Sequence, residues 1–280
     1  MRKSFLTLLV CFNSFFGFSQ EFVFKQTLIP LDNLNGVPFT KDKDLNDLLI
    51  DGFEVDNNGN FYFCGGEKTA VIAVFSGNKQ IYRKRYNEFV PGKLYIYNNK
   101  LYTFNYYDKN DLIVLNPIDG SFIKKYNHIS SKNIGFYTFV DSSLITRTLK
   151  TSDDLFEQYT LTGKYVKEVS NLYNLPSSII PVNDSNYELI GKWNDYFIFW
   201  DLIRDNNDSQ IQKFWLINKE GEVLATKSLV NKNNIFGRVY IENPPEHRKV
   251  RNGKLYVLAH SRTSNDAVIT EIPLASFFGK

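Results

Sequence analysis

Five segments of the chain repeat one unit, a small turn followed by a short apolar strand. They are Gly59-Asn60-Phe61-Tyr62-Phe63, Asn99-Lys100-Leu101-Tyr102-Thr103-Phe104, Ser142-Ser143-Leu144-Ile145-Thr146, Asn194-Asp195-Tyr196-Phe197-Ile198-Phe199 and Asn252-Gly253-Lys254-Leu255-Tyr256-Val257-Leu258. One such unit cannot cover its own apolar faces. Its recurrence therefore restricts the chain to a radial or stacked β architecture in which neighbouring units cover one another.

Each of these strands is followed by a polar loop and a second apolar run, as in Ala70-Val71-Ile72-Ala73-Val74-Phe75, Leu112-Ile113-Val114-Leu115 and Ala267-Val268-Ile269-Thr270-Glu271-Ile272. Turn signals close four of the five runs. The turn glycines fall at 77, 120 and 163, a spacing of 43 residues, and the next at 221 leaves room for a long insertion. Glycine supplies the positive φ of a tight hairpin. More polar strands follow the turns, such as Ser121-Phe122-Ile123-Lys124-Lys125-Tyr126. Lysine on an outer strand opposes edge-to-edge pairing. A further strand precedes each unit, as in Gly52-Phe53-Glu54-Val55-Asp56. Four antiparallel strands in one repeat of this length are a propeller blade. The expected fold is an all-β β-propeller. Five blades are countable, and residues 28–50 or 170–193 leave room for a sixth. The last unit lacks an outer strand, and Phe22-Val23-Phe24-Lys25-Gln26-Thr27 near the other end has the character to supply it. The N-terminal strand is therefore expected to close the ring by pairing, over residues 22–28, with residues 267–274. A β-sandwich is the alternative, but it predicts irregular spacing and no complementarity between the chain ends.

Arg2 and Lys3, the apolar run from Phe5 to Phe18, and the small residues Gly17 and Ser19 before Gln20 read as a secretory signal. Residues 1–19 are thus a signal peptide and residues 20–280 a single propeller domain, with no transmembrane segment after cleavage. Removing the signal takes Lys+Arg from 33 to 31 against 30 Asp+Glu. The near-neutral remainder gives no reason to expect nucleic acid as a partner. Cleavage also removes Cys11 and leaves Cys64 alone within an apolar strand, a buried small hydrophobe and not a nucleophile.

The turn-strand unit Asp56-Asn57-Asn58-Gly59-Asn60-Phe61-Tyr62-Phe63 resembles those of bacterial propellers of the NHL-like and six-bladed kind. The resemblance spans nearly the whole mature chain and implies a propeller. It implies no catalytic residues, because these families share a repeat and not a chemistry.

In a blade, the loop after the second strand and the connection to the next blade open at the same end. That end gathers Tyr106, Tyr107 and Asp108; Arg147; Trp200 and Arg204; and His260 and Arg262. These eight are the candidate binding residues, with Lys150, Asp153, Asp154, Asp201, Asn265 and Asp266 nearby. Trp200 also continues the apolar run from Tyr196, so a place in the core is an equal reading. His128, His247 and His260 are assigned to the same end, but no two share metal-ligand spacing. Asp56-Asn57-Asn58-Gly59-Asn60 lacks the closing glutamate of a calcium loop and reads as a hairpin turn. No metal and no cofactor are expected. Hydrolase, zinc-protease and phosphate-loop signatures are missing.

The sequence thus describes a secreted or periplasmic protein, a monomer, that binds a protein, peptide or glycan. The alternative is a propeller glycoside hydrolase or lyase whose channel carboxylates come from separate blades. N-terminal sequencing of the protein from its native host is expected to begin at Gln20. Recovery of intact Met1 in a cytoplasmic fraction would contradict the export reading.

Overall fold

The computed structural model describes residues 25–41, 48–65, 70–105, 107, 111–127, 134–140, 142–148, 155–169, 188–204, 210–230, 239–240, 247–261 and 264–280. In chain order the strands begin with β1 (Lys25–Pro30) and a short hairpin, β2 (Thr40–Lys41) and β3 (Leu48–Leu49). Three four-stranded sheets follow. They are β4 (Gly52–Val55), β5 (Asn60–Gly65), β6 (Val71–Ser76) and β7 (Lys79–Arg85); β8 (Pro91–Tyr97), β9 (Lys100–Asn105), β10 (Leu112–Leu115) and β11 (Phe122–Tyr126); and β12 (Ile134–Val140), β13 (Ser143–Thr148), β14 (Leu155–Thr160) and β15 (Tyr165–Val169). The fourth sheet is β16 (Glu188–Trp193), β17 (Tyr196–Arg204), β18 (Gln210–Ile217) and β19 (Val223–Val230). The fifth is β20 (Val239–Tyr240), β21 (Arg248–Arg251), β22 (Lys254–Ser261) and β23 (Asp266–Pro273), completed by β1. A short helix, α1 (Leu274–Phe278), ends the chain.

The fold is a five-bladed β-propeller, each sheet being one blade. Its blades belong to two compact units, one holding β2–β15 and the other β1 with β16–β23. Among the described residues there is no sixth blade. Residues 28–50 contribute the end of β1 and the small hairpin, and 188–193 form the first strand of blade four.

The continuous apolar runs have a direct cause in the three-blade unit. In blade two, Leu101, Ile113 and Leu115 face Tyr62, Cys64, Ile72 and Val74 of blade one. The alternate residues Tyr102, Phe104, Leu112 and Val114 face Leu144, Tyr159 and Leu161 of blade three. A strand covered on both sides has no solvent face, so period-two alternation disappears from its sequence. Cys64 is fully buried, as its setting predicts. Tyrosine hydroxyls of blade one also reach the β10–β11 turn of blade two. Tyr86 donates to Gly120 O at 2.8 Å and Tyr62 to Pro117 O at 3.2 Å. Burial raises the pKa of Tyr62, Tyr82 and Tyr86 well above the ordinary tyrosine value. The turn glycines behave as their spacing implies, with Gly120 at φ +67° and Gly163 at φ +79°.

A feature of the outer strands was not foreseen. In blades one to four the ladder between the third and fourth strands slips by one residue at the same place. The skipped residues are Ile81, Ile123, Val166 and Leu224. All four are exposed aliphatic side chains, between 37% and 48% accessible. Such a bulge leaves one residue unpaired and bends the outer strand, which spoils the edge as a template for another chain.

The chain ends close as expected, with a shifted register. Lys25 pairs with Glu271 and the ladder runs to Pro30 with Asp266. Among the described residues the pairing strand is 25–30, two residues beyond the expected end at 28; residues 22–24 lie outside the described residues. Its placement follows from burial: Thr27 and Ile29 point inward, while Leu28 is 48% exposed. In the same unit, the last and fourth blades share a core of Ile198, Trp200, Phe214, Leu216, Leu255 and Val257, capped by Leu274, Phe277 and Phe278 of α1. Replacing the fully buried Ile29 by Ala is expected to cost about 2–5 kcal/mol. Deleting residues 20–30 is expected to lower the melting temperature further. A deletion variant that melts like the intact protein would contradict closure by β1.

Candidate binding face

Antiparallel order fixes which loops share an end of a blade. Blade two shows the consequence in side chains. The loop after β9 and the connection from β7 to β8 meet at Asn105, whose Oδ1 accepts from the amides of Val90 (3.3 Å) and Tyr107 (3.4 Å). The base of this loop is closed by Asn105 N–H to Asp111 O at 3.2 Å. Asp111, with its carboxylate buried, is paired with Lys125 Nζ at 2.5 Å. Tyr107 projects from this frame and is 65% exposed. An exposed aromatic on a tied loop can make a large contact at low entropic cost.

The other candidate residues fall into three groups. Tyr106, Asp108 and Arg262 lie outside the described residues, as do His128, Lys150, Asp153 and Asp154. Arg147, Arg204 and His260 are strand residues and not loop residues. Arg147 pairs with Phe136 and Phe156, Arg204 with Gln210, and His260 with Ala267 and Tyr240. Their strands run farther than the apolar runs suggest because polar positions continue the backbone ladder. Trp200 resolves in favour of the core. It pairs with Phe214 within blade four and is 5% exposed. His247 is also buried, so it is not an open loop side chain. Among the described residues no group of three His, Cys, Asp or Glu is placed to hold a metal ion.

Several acidic groups are buried, and the contacts around them are structural. Asp56 Oδ1 accepts the amides of Asn58 and Asn60, each at 2.8 Å, and its Oδ2 accepts from Asn60 Nδ2 and the Tyr62 hydroxyl. This is the hairpin turn expected of Asp56 to Asn60. Glu54 Oε1 accepts the Val55 amide at 2.9 Å, and Glu157 accepts from the Tyr159 hydroxyl at 2.7 Å. Glu271 binds both Lys25 and Lys254.

Sequence reasoning missed Arg248. It lies in Glu246-His247-Arg248-Lys249-Val250-Arg251, a run that reads as a solvated charged edge. In the structure Arg248 is 1% exposed. Its guanidinium carbon sits 3.5 Å from the centre of the Trp200 ring. Its Nε and Nη2 both donate to Gln212 Oε1, at 3.1 and 3.0 Å. Trp200 and Gln212 carry no signal of this in the sequence, because their partner arrives from the next blade.

No protein-family model matches the chain, and no curated protein matches it. Among solved structures it is similar to BamB from Moraxella catarrhalis, with 9% identity and a TM-score of 0.39, covering 89% of this chain and 97% of that one. It is also similar to a member of the DUF4221 family from Bacteroides vulgatus, with 12% identity and a TM-score of 0.49, covering 88% of this chain and 95% of that one. At such identity neither speaks to ligand or chemistry. Among the described residues no helix is long and apolar enough to cross a membrane.

Proposed function

We propose that this protein is an exported binding module, secreted or periplasmic, that captures a protein, peptide or glycan at the loop end of its blades. In this reading residues 1–19 are the signal peptide, and residues 20–280 act as one monomeric domain. Tyr106, Tyr107, Asp108, Arg147, Arg204, His260 and Arg262 supply the contacts, and Trp200 supports them from the core. The observation that carries the reading is Tyr107: a 65% exposed aromatic held on a loop whose base is tied by Asn105 and the Asp111–Lys125 pair. Loops on a rigid β scaffold are where recognition residues concentrate. The glycoside hydrolase or lyase alternative requires two carboxylates converging on open space. Among the described residues Glu54, Asp56, Asp111, Glu157 and Glu271 are engaged with lysines, a tyrosine or backbone amides, and these five favour the binding reading.

The test is capture from host extract, and on a glycan array, by wild type beside a variant carrying Tyr107→Ala, Arg204→Ala, His260→Ala and Arg262→Ala. Capture is expected to be lost while the melting temperature changes little for the Tyr107 substitution alone, since surface changes usually shift stability by less than about 0.5 kcal/mol. Equal capture by both proteins would move the site to the turn end or the rim.

A further inference from the structure

The first two blades, which belong to one compact unit, meet at the turn between β10 and β11. Strand β7 abuts this turn closely. A Cβ on Gly120 would meet the Tyr86 hydroxyl at 2.7 Å, the Tyr82 ring at 3.0 Å and the Lys84 stem at 3.3 Å. The turn is also braced from within, Asn116 N–H donating to Ser121 O and Gly120 N–H to Asn116 O, each at 2.8 Å. Four large apolar side chains stand in solvent on this frame. Ile118 is 78% exposed, Phe122 53%, and Ile81 and Ile123 48% each. Ile118 projects from the turn, and Ile81 and Ile123 are the bulge residues of β7 and β11.

The same two strands and turn carry six cations and a single acid, Asp119. Two of the cations are engaged. Lys125 pairs with Asp111, and Arg83 donates to the carbonyls of Asn33 and Gly36 at 2.6 Å each. Among the described residues Lys79, Lys84, Arg85 and Lys124 have no ion pair. The Lys124 ammonium rests over the Tyr126 ring, which leaves its charge in place. Asp119 accepts the Ser121 amide and lies in the field of Lys84. Four unpaired cations against one carboxylate leave a local excess of three positive charges on a mature chain that is close to neutral.

Single exposed aliphatics are ordinary, but several around one turn, ringed by unpaired cations, mark a contact surface. Its partner must take apolar groups out of water and supply negative charge. Two features choose the kind of partner. The apolar side chains project from a turn and two bulges, as wedges and not as walls of a groove. The cationic heads are not fixed by hydrogen bonds, so they suit a fluid array of anions better than one carboxylate held in a set geometry. Apolar groups that enter the headgroup boundary, with lysine and arginine reaching the phosphates, are the composition of an interfacial contact.

We propose that the outer strands of blades one and two dock on an anionic lipid surface. Ile118, Phe122 and Ile123 enter the headgroup layer, and Lys79, Lys84, Arg85 and Lys124 pair with lipid phosphates. This surface goes beyond the binding reading above and is separate from it. The β10–β11 turn lies at the opposite end of β10 from the loop that carries Tyr107.

The test is co-sedimentation of the mature full-length chain with vesicles of equal parts phosphatidylcholine and phosphatidylglycerol. Vesicles of phosphatidylcholine alone are the control, and a soluble poly-glutamate peptide is the second arm. The protein is expected to sediment with the mixed vesicles, to stay in solution with the control, and to be released by added salt. Lys124→Gln is expected to weaken the binding about fivefold, the worth of one lysine at an anionic surface. Ile118→Ser combined with Phe122→Ser is expected to weaken it as well while leaving the salt dependence in place. Both side chains are exposed, so the melting temperature is expected to hold, and Phe122→Ser serves alone if the double variant fails to fold. No sedimentation with the mixed vesicles, equal sedimentation with the control, or unchanged binding in either variant would each overturn the proposal. Binding of poly-glutamate in place of the vesicles would also overturn it, and would make an acidic protein segment the partner.

Discussion

The pairing of β1 with β23 is the interaction on which the last blade depends. It joins Lys25 to Glu271 and so brings together residues from opposite ends of the chain. Without β1, the long strand β23 would be an unpaired edge carrying Val268, Thr270 and Ile272. Glu271 locks the arrangement from both sides. Its carboxylate, 6% exposed as a residue, accepts Lys25 at 2.8 Å from β1 and Lys254 at 3.0 Å from β22. Both lysines are partly solvated, so the ion pairs add modestly, and the ladder with buried Ile29 carries more of the energy. A contact between such distant segments carries a loop-closure entropy that the ladder and the burial of Ile29 must offset.

Five blades and the central strands of each were legible in the sequence, with a sixth blade left open, and the reason is physical. Strands buried on both faces read as unbroken apolar runs, and hairpins that need positive φ place glycine at a fixed period. The parts that were not legible depend on partners distant in sequence. The bulges at Ile81, Ile123, Val166 and Leu224 put aliphatic residues on the solvent side of outer strands, against the inside-outside pattern used to read them. Helix α1 spans Leu274–Phe278, too short for a helical period to show, and exists because Phe277 and Phe278 cap the core of the last two blades. The closing strand runs past its expected end at Leu28 to Pro30, because the buried Ile29 and the ladder to Asp266 extend it.

For the candidate binding face less was legible. Tyr107 is exposed on the loop after β9, whereas Arg147, Arg204 and His260 lie in strands. Strand ends were harder to place. Arg204 and His260 continue ladders whose partners, Gln210 and Ala267, are themselves at strand starts. Arg248 was hidden for a different reason. A charged run near a strand reads as a solvated edge, and only the arrival of Trp200 and Gln212 from the neighbouring blade turns its first arginine into a buried group. The frame and this buried arginine thus share one cause: side chains that neighbouring blades supply to one another.

Amide hydrogen exchange read by residue tests the closure most directly. If β1 is an integral strand of the last blade, the segment Lys25–Pro30 will exchange in step with β22 and β23, through the same cooperative opening that exposes the core. Exchange in Lys25–Pro30 at the rate of an open loop, while β22 and β23 remain protected, would contradict the account.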